Sequence, residues 1–415
     1  MTVESTPLAL TPTQRPITRR SRRHSLEDPS DCYNKRPKIK IVIGSTFGDE
    51  GKGNVVQWLC QQALNEGKRV AVCRYSGGPQ AAHTVYHNGI EHICSTYGSG
   101  VLLNVPTYLT EDVLIDPISA KKERQVLYSK GISSPKINCS IFNKGFITPY
   151  DVYYNQHDIQ TLIDGTCGKG INATYERCMK GIFSLNAEDN LNLSWEYYKK
   201  YKHIDIKLPE HIKREYISAH NWFIRVSGGL LNTSNFDVLI LEGSQGLLLD
   251  AEHGFTPHTT PSKVGLNGCT YYALFNSNAE AYFVTRTYTT RHGNGYEPKF
   301  PITIPSWKKE SNIDNQFQGK FKTGLLETKL LQRAFDRHSI INTCQKFKIS
   351  PKLVVTHTDL IDKNVINSFA LDNNIVKFNN TEEALDILIK ELDGYLDPQE
   401  VYYSDNPNSD IKQYI

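Results

Sequence analysis

The sequence predicts an α/β protein in which helices flank a large, mostly parallel central sheet. Short runs rich in Val, Ile and Leu recur along the chain, and helical apolar patterns follow several of them. Some of these runs end in glycine-rich loops. In parallel sheets, ligands bind to loops of this kind, which lie together at the edge where the strands have their carboxyl ends.

The first elements follow one another directly. An alternating strand over residues 39–43 runs into Gly44, and residues 54–64 then carry apolar side chains at helical spacing. Similar patterns predict further elements: strands over 69–74, 237–241, 281–287 and 353–356, and an amphipathic helix over 382–392. Residues 105–235 are less regular, and we expect helices and loops there that cover the sheet without forming a separate domain.

Composition excludes several classes of protein. The chain has 415 residues, 39% of them hydrophobic, and a formal net charge of only +3, which gives no general attraction to nucleic acid or acidic membranes. No apolar run approaches the roughly 18–20 residues that cross a bilayer. The nine cysteines are scattered without Cys-x-x-Cys pairs, which is typical of a reduced protein. We therefore expect a cytoplasmic enzyme of small molecules, with neither nucleic-acid nor membrane partners.

The N-terminal segment differs from the rest of the chain. Residues 1–36 are rich in Thr, Pro, Ser and Arg and lack periodicity, so we expect a disordered basic tail before one folded domain over 37–415. The tail contains four clustered arginines: Arg19, Arg20, Arg22 and Arg23. A solvated tail is the simplest interpretation, and a nuclear address, a kinase docking site or an anion-binding arm remain open.

The loop from Gly44 to Gly53 has the composition of a phosphate cradle. It lies between a strand and a helix, where backbone N–H groups and a helix N-terminus face an anion. Lys52 is followed by Gly53, so no Ser or Thr is placed to hold magnesium as in a Walker loop. Asp49 can take that role instead. A structural tight turn is the alternative, but the Asp-Glu-Gly-Lys-Gly run favours function.

Two further loops carry chemically useful side chains. His83 lies beside the Gly77-Gly78 turn, where an imidazole can exchange protons near neutral pH. Gln245 follows the strand over 237–241 and offers a donor and an acceptor to a purine edge. A P-loop NTPase or a Rossmann dehydrogenase is set aside, because neither fingerprint follows the first strand.

Taken together, these loops resemble the signature loops of adenylosuccinate synthetases. The matching segments are collinear: Gly-Asp-Glu-Gly-Lys-Gly (48–53), Arg-Tyr-x-Gly-Gly-x-x-Ala-x-His-Thr (74–84), Glu-Gly-x-Gln-Gly (242–246), Asp-Ala-Glu-His-Gly (250–254), Tyr-Thr-Thr-Arg-His-Gly-Asn-Gly (288–295) and Thr-Gly-Leu-Leu-Glu (323–327). The resemblance spans most of residues 40–360. It implies a catalytic domain, a homodimer and a GTP-dependent ligase of purine nucleotide synthesis.

The resemblance also implies a mechanism. Asp49 removes the N1 proton of IMP with assistance from His83, and Gln245 holds the O6 edge of the base. O6 then attacks the γ-phosphate of GTP, and aspartate displaces the resulting 6-phosphoryl group to give adenylosuccinate, GDP and phosphate. Mg²⁺ is the implied cofactor, held by the Asp49 carboxylate and the backbone carbonyl of Ala82.

The same resemblance assigns binding residues. Those implied for GTP are Gly48, Glu50, Gly51, Lys52, Gly53, His83, Thr84, His357, Thr358 and Asp359. Those implied for IMP are Asp49, Lys52, Gln80, Cys167, Gln245 and Thr260. The candidates for aspartate are Lys320, Lys322 and Thr323.

Several of these positions depart from the family pattern. His357 replaces a lysine of the guanine-reading Thr-Lys-x-Asp segment, and Cys167 replaces a phosphate-contacting threonine. The arginine run of the amino-acid loop is gone, which leaves Lys320 and Lys322 without arginine's bidentate geometry. Two alternatives therefore remain open: a related enzyme acting on another purine nucleotide, such as dGMP, or another amine, and a catalytically silent nucleotide-binding protein.

Overall fold

A central sheet organises the chain in the computed structural model, which describes residues 36–415 except 141, 144, 230–231, 270–278, 309, 311–316 and 409. Within these residues the sheet has nine strands in the order β15-β14-β11-β8-β1-β7-β2-β5-β6. Its strands are β1 (Lys38–Gly44), β2 (Val70–Arg74), β5 (Thr107–Leu109), β6 (Ile137–Cys139), β7 (Val238–Gly246), β8 (Glu280–Arg286), β11 (Ser350–Thr356), β14 (Glu400–Ser404) and β15 (Lys412–Gln413). Only β15 pairs antiparallel, at one edge of this sheet.

Three two-stranded ribbons accompany the sheet within the described residues. They pair β3 (His83–His87) with β4 (Ile90–Cys94), β9 (Tyr288–His292) with β10 (Phe321–Leu325), and β12 (Ser368–Leu371) with β13 (Asn374–Lys377). All three pairs are antiparallel.

Helices cover both faces of the sheet. They are α1 (Lys52–Asn65), α2 (Pro117–Ser129), α3 (Pro149–His157), α4 (Ile159–Asp164), α5 (Ile171–Met179), α6 (Ala187–Tyr201), α7 (Glu210–Val226), α8 (Thr328–Arg337), α9 (Ile340–Phe347), α10 (Asp359–Asp362) and α11 (Thr381–Leu392). Because the central strands are covered on both sides, they read as nearly continuous apolar runs. Ile41, for example, has no exposed surface and lies between Leu241 and Ala281 of the neighbouring parallel strands.

The predicted fold class is confirmed, and each predicted strand and helix is present. The prediction for residues 105–235 was only partly right. Residues 105–235 contribute mostly helices, but β5 and β6 extend the sheet there. These strands have only three residues each, which is too short for an apolar period to stand out.

Arg36–Ile415 form one compact unit. The predicted tail over residues 1–36, with its arginine cluster, lies outside the described residues except for Arg36. No helix in the described part of the chain is long and apolar enough to cross a membrane.

Candidate active site

The buried side chain of Glu50 stabilises the glycine-rich loop after β1 by accepting hydrogen bonds from it. The Glu50 carboxylate accepts from the backbone N–H groups of Thr46 (3.0 Å) and Gly48 (2.8 Å) and from the Lys52 ammonium (2.8 Å). Burial opposes its ionisation, but these contacts, above all Lys52, keep the pKa of Glu50 below its ordinary value. The side chain of Glu50 is thus a support for the loop and not part of a cavity wall.

Asp49 lies half-buried in this loop. Its backbone has φ 63°, between Gly48 at 94° and Gly51 at 91°, a left-handed conformation that Asp tolerates better than most residues. The Arg286 guanidinium donates to the Asp49 backbone carbonyl. Burial raises the pKa of the Asp49 carboxyl against the pull of Arg286 and Lys52. A raised pKa strengthens Asp49 as a proton acceptor near neutral pH.

His83 is oriented by a buried carboxylate. Its Nδ1 lies 2.5 Å from Glu242, which also accepts from the backbone N–H (3.0 Å) and hydroxyl (2.5 Å) of Ser99. Burial opposes ionisation of Glu242, but the bond with His83, the nearby Arg74 and Ser99 lower its pKa to about 2. Burial lowers the pKa of His83 despite Glu242. Nε2 lies 3.3 Å from the Ser244 backbone carbonyl, and in a neutral imidazole that donates from Nδ1 this nitrogen carries a lone pair and no proton.

Two cavities meet at these side chains. The Gln245 cavity has walls that include Gln80, Cys167, Gln245, Thr260 and Arg291. The Asp359 cavity has walls that include Gly51, Arg286, Trp307, Lys308 and Asp359. Four residues line both cavities: Asp49, Lys52, Ala82 and His83. An acid, a cation and an imidazole therefore stand at the junction between two binding spaces.

The Gln245 cavity contains polar atoms that the protein does not satisfy. Both amide atoms of Gln80, the Thr260 hydroxyl and Nε of Arg291 are buried without a hydrogen-bonding partner among the residues described. Buried polar groups normally have partners, so unsatisfied ones that line a cavity indicate a place for a polar ligand. Gln80, Cys167, Gln245 and Thr260, all predicted from the sequence, come together here.

Arg291 contributes a second cation to this cavity besides Lys52. Its guanidinium donates to the backbone carbonyl of Asn294 and lies 5.4 Å from the centre of the Phe47 ring. Burial lowers the pKa of Arg291 to about 10, against the opposing effect of Asp49. A buried guanidinium with an unpaired N–H is suited to a carboxylate or a phosphate.

The residues predicted for aspartate are placed elsewhere. Lys322 forms a salt bridge with Glu297, the Thr323 hydroxyl donates to the Ile302 carbonyl (2.6 Å), and Lys320 is exposed. Neither cavity is lined by Lys320, Lys322 or Thr323.

Most of the residues predicted for GTP lie around the Asp359 cavity. Its walls include Gly51, Lys52, Gly53, His83, Thr84, His357 and Asp359. Gly48 lines the Gln245 cavity instead. Thr358 is fully buried and, like Glu50, lines neither cavity.

Burial favours the neutral form of His357 in this cavity. Its backbone is left-handed at φ 64°, and its ring meets Tyr288 edge-on with the centres 5.6 Å apart. Burial, assisted by Arg286 and Lys308, holds its pKa well below the ordinary value. Asp359 lines the same cavity, and the Lys308 ammonium lies 2.7 Å from each of its two carboxylate oxygens.

Several residues of the site were not predicted. Arg291 lies within the matched segment 288–295. The sequence therefore identified the motif but did not predict that Arg291 lines the Gln245 cavity. The strand β7 continues through Gly246, so Glu242 and Gln245 extend from a strand and not from the predicted loop. Lys308 belongs to an irregular segment without apolar period, which gives no signal in one sequence.

Comparison with known proteins agrees on one family. The family model described as adenylosuccinate synthetase matches residues 41–362. A curated adenylosuccinate synthetase from Buchnera aphidicola is 28% identical over 334 residues, which cover 73% of this chain and 76% of the relative. One from Blochmanniella pennsylvanica is 30% identical over 285 residues, which cover 62% of this chain and 64% of the relative.

Solved structures share the fold. The fully ligated adenylosuccinate synthetase of Plasmodium falciparum superposes with a TM-score of 0.67 at 17% identity, covering 91% of this chain and 100% of the other. The succinoaminodeoxyadenylate synthetase of cyanophage S-2L, bound to dGMP and dATP as an energy donor, gives a TM-score of 0.58 at 14% identity and covers 91% and 95%. At these identities the likeness concerns the fold.

Proposed function

Since the chain belongs to the adenylosuccinate synthetase family, we propose that it is a ligase that joins aspartate to IMP at the expense of GTP. The observation that carries the proposal is the junction of the two cavities. An acceptor nucleotide in the Gln245 cavity and a donor nucleotide in the Asp359 cavity would meet at Asp49, Lys52 and His83. Phosphoryl transfer depends chiefly on such positioning and on charge stabilisation.

The first step activates the purine. Asp49 takes the proton from N1, and the electrons of that bond move onto O6. Gln245, at the end of β7, orients O6 toward the γ-phosphate, which passes from the donor to O6 while GDP leaves. The raised pKa of Asp49 favours this proton transfer.

The second step forms the C–N bond. The amine of aspartate attacks C6, inorganic phosphate leaves with the bonding electrons of the C6–O6 bond, and the amine loses a proton. Lys52 and His83 border both cavities. The Lys52 ammonium stabilises the charge of the transferred phosphoryl group, and Nε2 of His83 donates to that group only when the imidazole takes up a second proton. Glu242 holds the imidazole in place through Nδ1.

Mg²⁺ fits the oxygen donors at the junction. Asp49 and Ala82 border both cavities; the carboxylate of the first and the backbone carbonyl of the second would supply the oxygen donors that Mg²⁺ prefers. Glu50 is turned inward onto the loop and is not a candidate ligand. When bound, the ion neutralises phosphate charge and aligns the transferred group.

Arg291 is our candidate for a carboxylate of the amine substrate. It lines the Gln245 cavity with a buried, unpaired Nε, whereas Lys320 and Lys322 lie outside the cavity. A guanidinium also has the planar geometry that binds a carboxylate in a bidentate manner, which an ammonium lacks.

A homodimer is part of the proposal. Large apolar side chains are exposed on α4 and α5 beside the Gln245 cavity, with Ile159 74%, Ile163 60% and Met179 69% exposed. Apolar surface of this kind marks protein interfaces. Sedimentation at micromolar concentration should give twice the chain mass, and Ile163→Asp should shift the protein toward the monomer.

A second acceptor deserves testing. Cys167 lines the Gln245 cavity where the family pattern has a phosphate-contacting threonine, and a thiol is a weak hydrogen-bond donor. The cyanophage enzyme of similar fold is bound to dGMP. A deoxyguanylate acceptor is therefore the alternative to IMP.

The test is phosphate release by the full chain with GTP, Mg²⁺ and either IMP or dGMP, with and without aspartate. Aspartate-dependent turnover with IMP supports the proposal. Aspartate-dependent turnover with dGMP but not with IMP supports the alternative. Phosphate release that does not require aspartate is hydrolysis by water and contradicts the proposal, and no turnover with either acceptor indicates a silent homologue.

The assignment of Asp49 has its own test. Asp49→Ala should lower kcat by about 10²–10⁴-fold, the usual contribution of a general base. Asp336→Ala, which removes an exposed carboxylate on α8, is the matched control and should leave turnover unchanged.

A further inference from the structure

We propose that Lys308 is a specificity-determining residue of the donor cavity and that it lets adenine nucleotides compete with guanine nucleotides. The inference rests on the proposed function, since it takes the Asp359 cavity as the donor site. It assigns Lys308 a role in the choice of base and no role in phosphoryl transfer itself.

The geometry of one ion pair carries the proposal. The Lys308 ammonium lies 2.7 Å from both oxygens of Asp359, and the two side chains are only 15% and 13% exposed. Equal distances place the ammonium on the bisector of the carboxylate. Each oxygen therefore directs a lone pair at the same cation.

A guanine base needs that same position. Its N1–H and N2–H groups form a two-pronged donor, and a carboxylate binds them by turning both oxygens toward the base. Lys308 and guanine thus compete for the same pair of oxygens. Guanine must displace a partly buried ammonium, and a charge-assisted hydrogen bond of this kind is roughly twice as strong as a neutral one.

Adenine is compatible with the pair. Its N6 amine can donate to one oxygen of Asp359 from the outer side, and its N1 can accept from a proton of Lys308. An ammonium has three donors, so it can serve the carboxylate and the base together. The lysine therefore adds a donor where a guanine-reading site presents acceptors only.

The surrounding contacts keep Lys308 in the cavity. On one side, the Lys363 ammonium lies 4.2 Å from the centre of the Trp307 ring. On the other, Glu310 is paired with Arg286 at 2.7 Å. Trp307 and Glu310, on either side of Lys308 in the sequence, thus each contact a residue of the cavity wall.

The experiment measures binding separately from chemistry. Non-hydrolysable analogues of GTP and ATP are titrated calorimetrically into the full chain, into Lys308→Ala and into Lys308→Met, which keeps most of the apolar stem. Lys377→Ala, on exposed β13, is the matched control. The quantity of interest is the ratio of the two dissociation constants for each protein.

Both variants should shift the ratio toward guanine by about tenfold, as expected for the release of one charged competitor, while the control keeps the wild-type ratio. A shift below about threefold in either variant, or a wild-type preference for guanine above about 100-fold, overturns the proposal. Failure of the proposed function appears separately, as absence of phosphate release with every acceptor. The binding ratios remain decisive in that case.

Discussion

Replacing Glu242 by Gln tests how much the buried carboxylate contributes to the reactivity of His83. In the protein, one carboxylate oxygen accepts from His83 Nδ1 (2.5 Å) and the Ser99 hydroxyl (2.5 Å), and the other accepts from the Ser99 backbone N–H (3.0 Å). Glutamine has the same shape but only one acceptor oxygen. Either the Ser99 N–H or the His83 Nδ1–H must then face an amide N–H.

The expected loss follows from these contacts. A hydrogen bond to a charged group contributes about 1.5–3 kcal/mol, which corresponds to roughly 10–150-fold in rate if the bond is fully used in the transition state. We expect kcat of Glu242→Gln to fall by about 10²-fold, because the imidazole loses its orientation and its stabilising anion. KM for the nucleotides should change by less than about threefold, since neither base is contacted.

The assay is phosphate release across pH 5–9 with saturating substrates, together with circular dichroism to confirm folding. Ser99→Ala is the control, because it removes the hydroxyl donor and leaves the carboxylate with His83; its kcat should fall by less than about tenfold. A folded Glu242→Gln protein with kcat within about threefold of wild type would refute the role given to the pair.

The remaining predictions concern binding, acid stability, the loop and the metal. Arg291→Met should raise KM for aspartate by at least about tenfold in steady-state kinetics and leave donor affinity unchanged, whereas Lys322→Ala should change neither. Glu242 has a folded pKa of about 2 against an ordinary 4.5. Its contribution to stability is therefore complete above pH 4.5 and lost as pH falls toward 2, and acid denaturation should be less steep in Glu242→Gln. Gly53→Ala should lower kcat, measured by phosphate release, because the added methyl group would lie 2.9 Å from the His83 Cβ. Removal of Mg²⁺ by EDTA should abolish phosphate release, and added Mg²⁺ should restore it.

The predictable part of the fold consists of strands with long buried runs. Ile39, Ile41 and Ile43 alternate in β1, and β8 has four consecutive apolar residues from Ala281 to Val284, so both patterns are visible in one sequence. The ribbon β3–β4 was missed because five of its ten residues are His, Thr or Glu, which interrupts the apolar pattern. Its first residue is His83, so the predicted position beside a turn was close, while the strand that directs the ring was not anticipated.

Within the site, predictability follows the distance between partners along the chain. Asp49, Gly51 and Lys52 belong to one local run and were assigned together. The pair of Lys308 and Asp359 joins residues 51 positions apart, and only the folded chain brings them together. The same holds for His83 and Glu242, which are separated by 159 positions.

Residues on the central strands and residues in irregular segments are fixed in position to different degrees, and this difference bears on substrate choice. Asp49 and Lys52 follow β1, and Glu242 and Gln245 extend from β7, which pairs in parallel with β1 over Lys38–Val42. Backbone hydrogen bonds therefore keep these groups in a fixed relation. Cys167 and Lys308 lie in irregular segments between elements. A change there alters which base or phosphate is contacted without moving the sheet. Substrate preference can therefore diverge in this chain while the groups of the phosphoryl-transfer step keep their geometry.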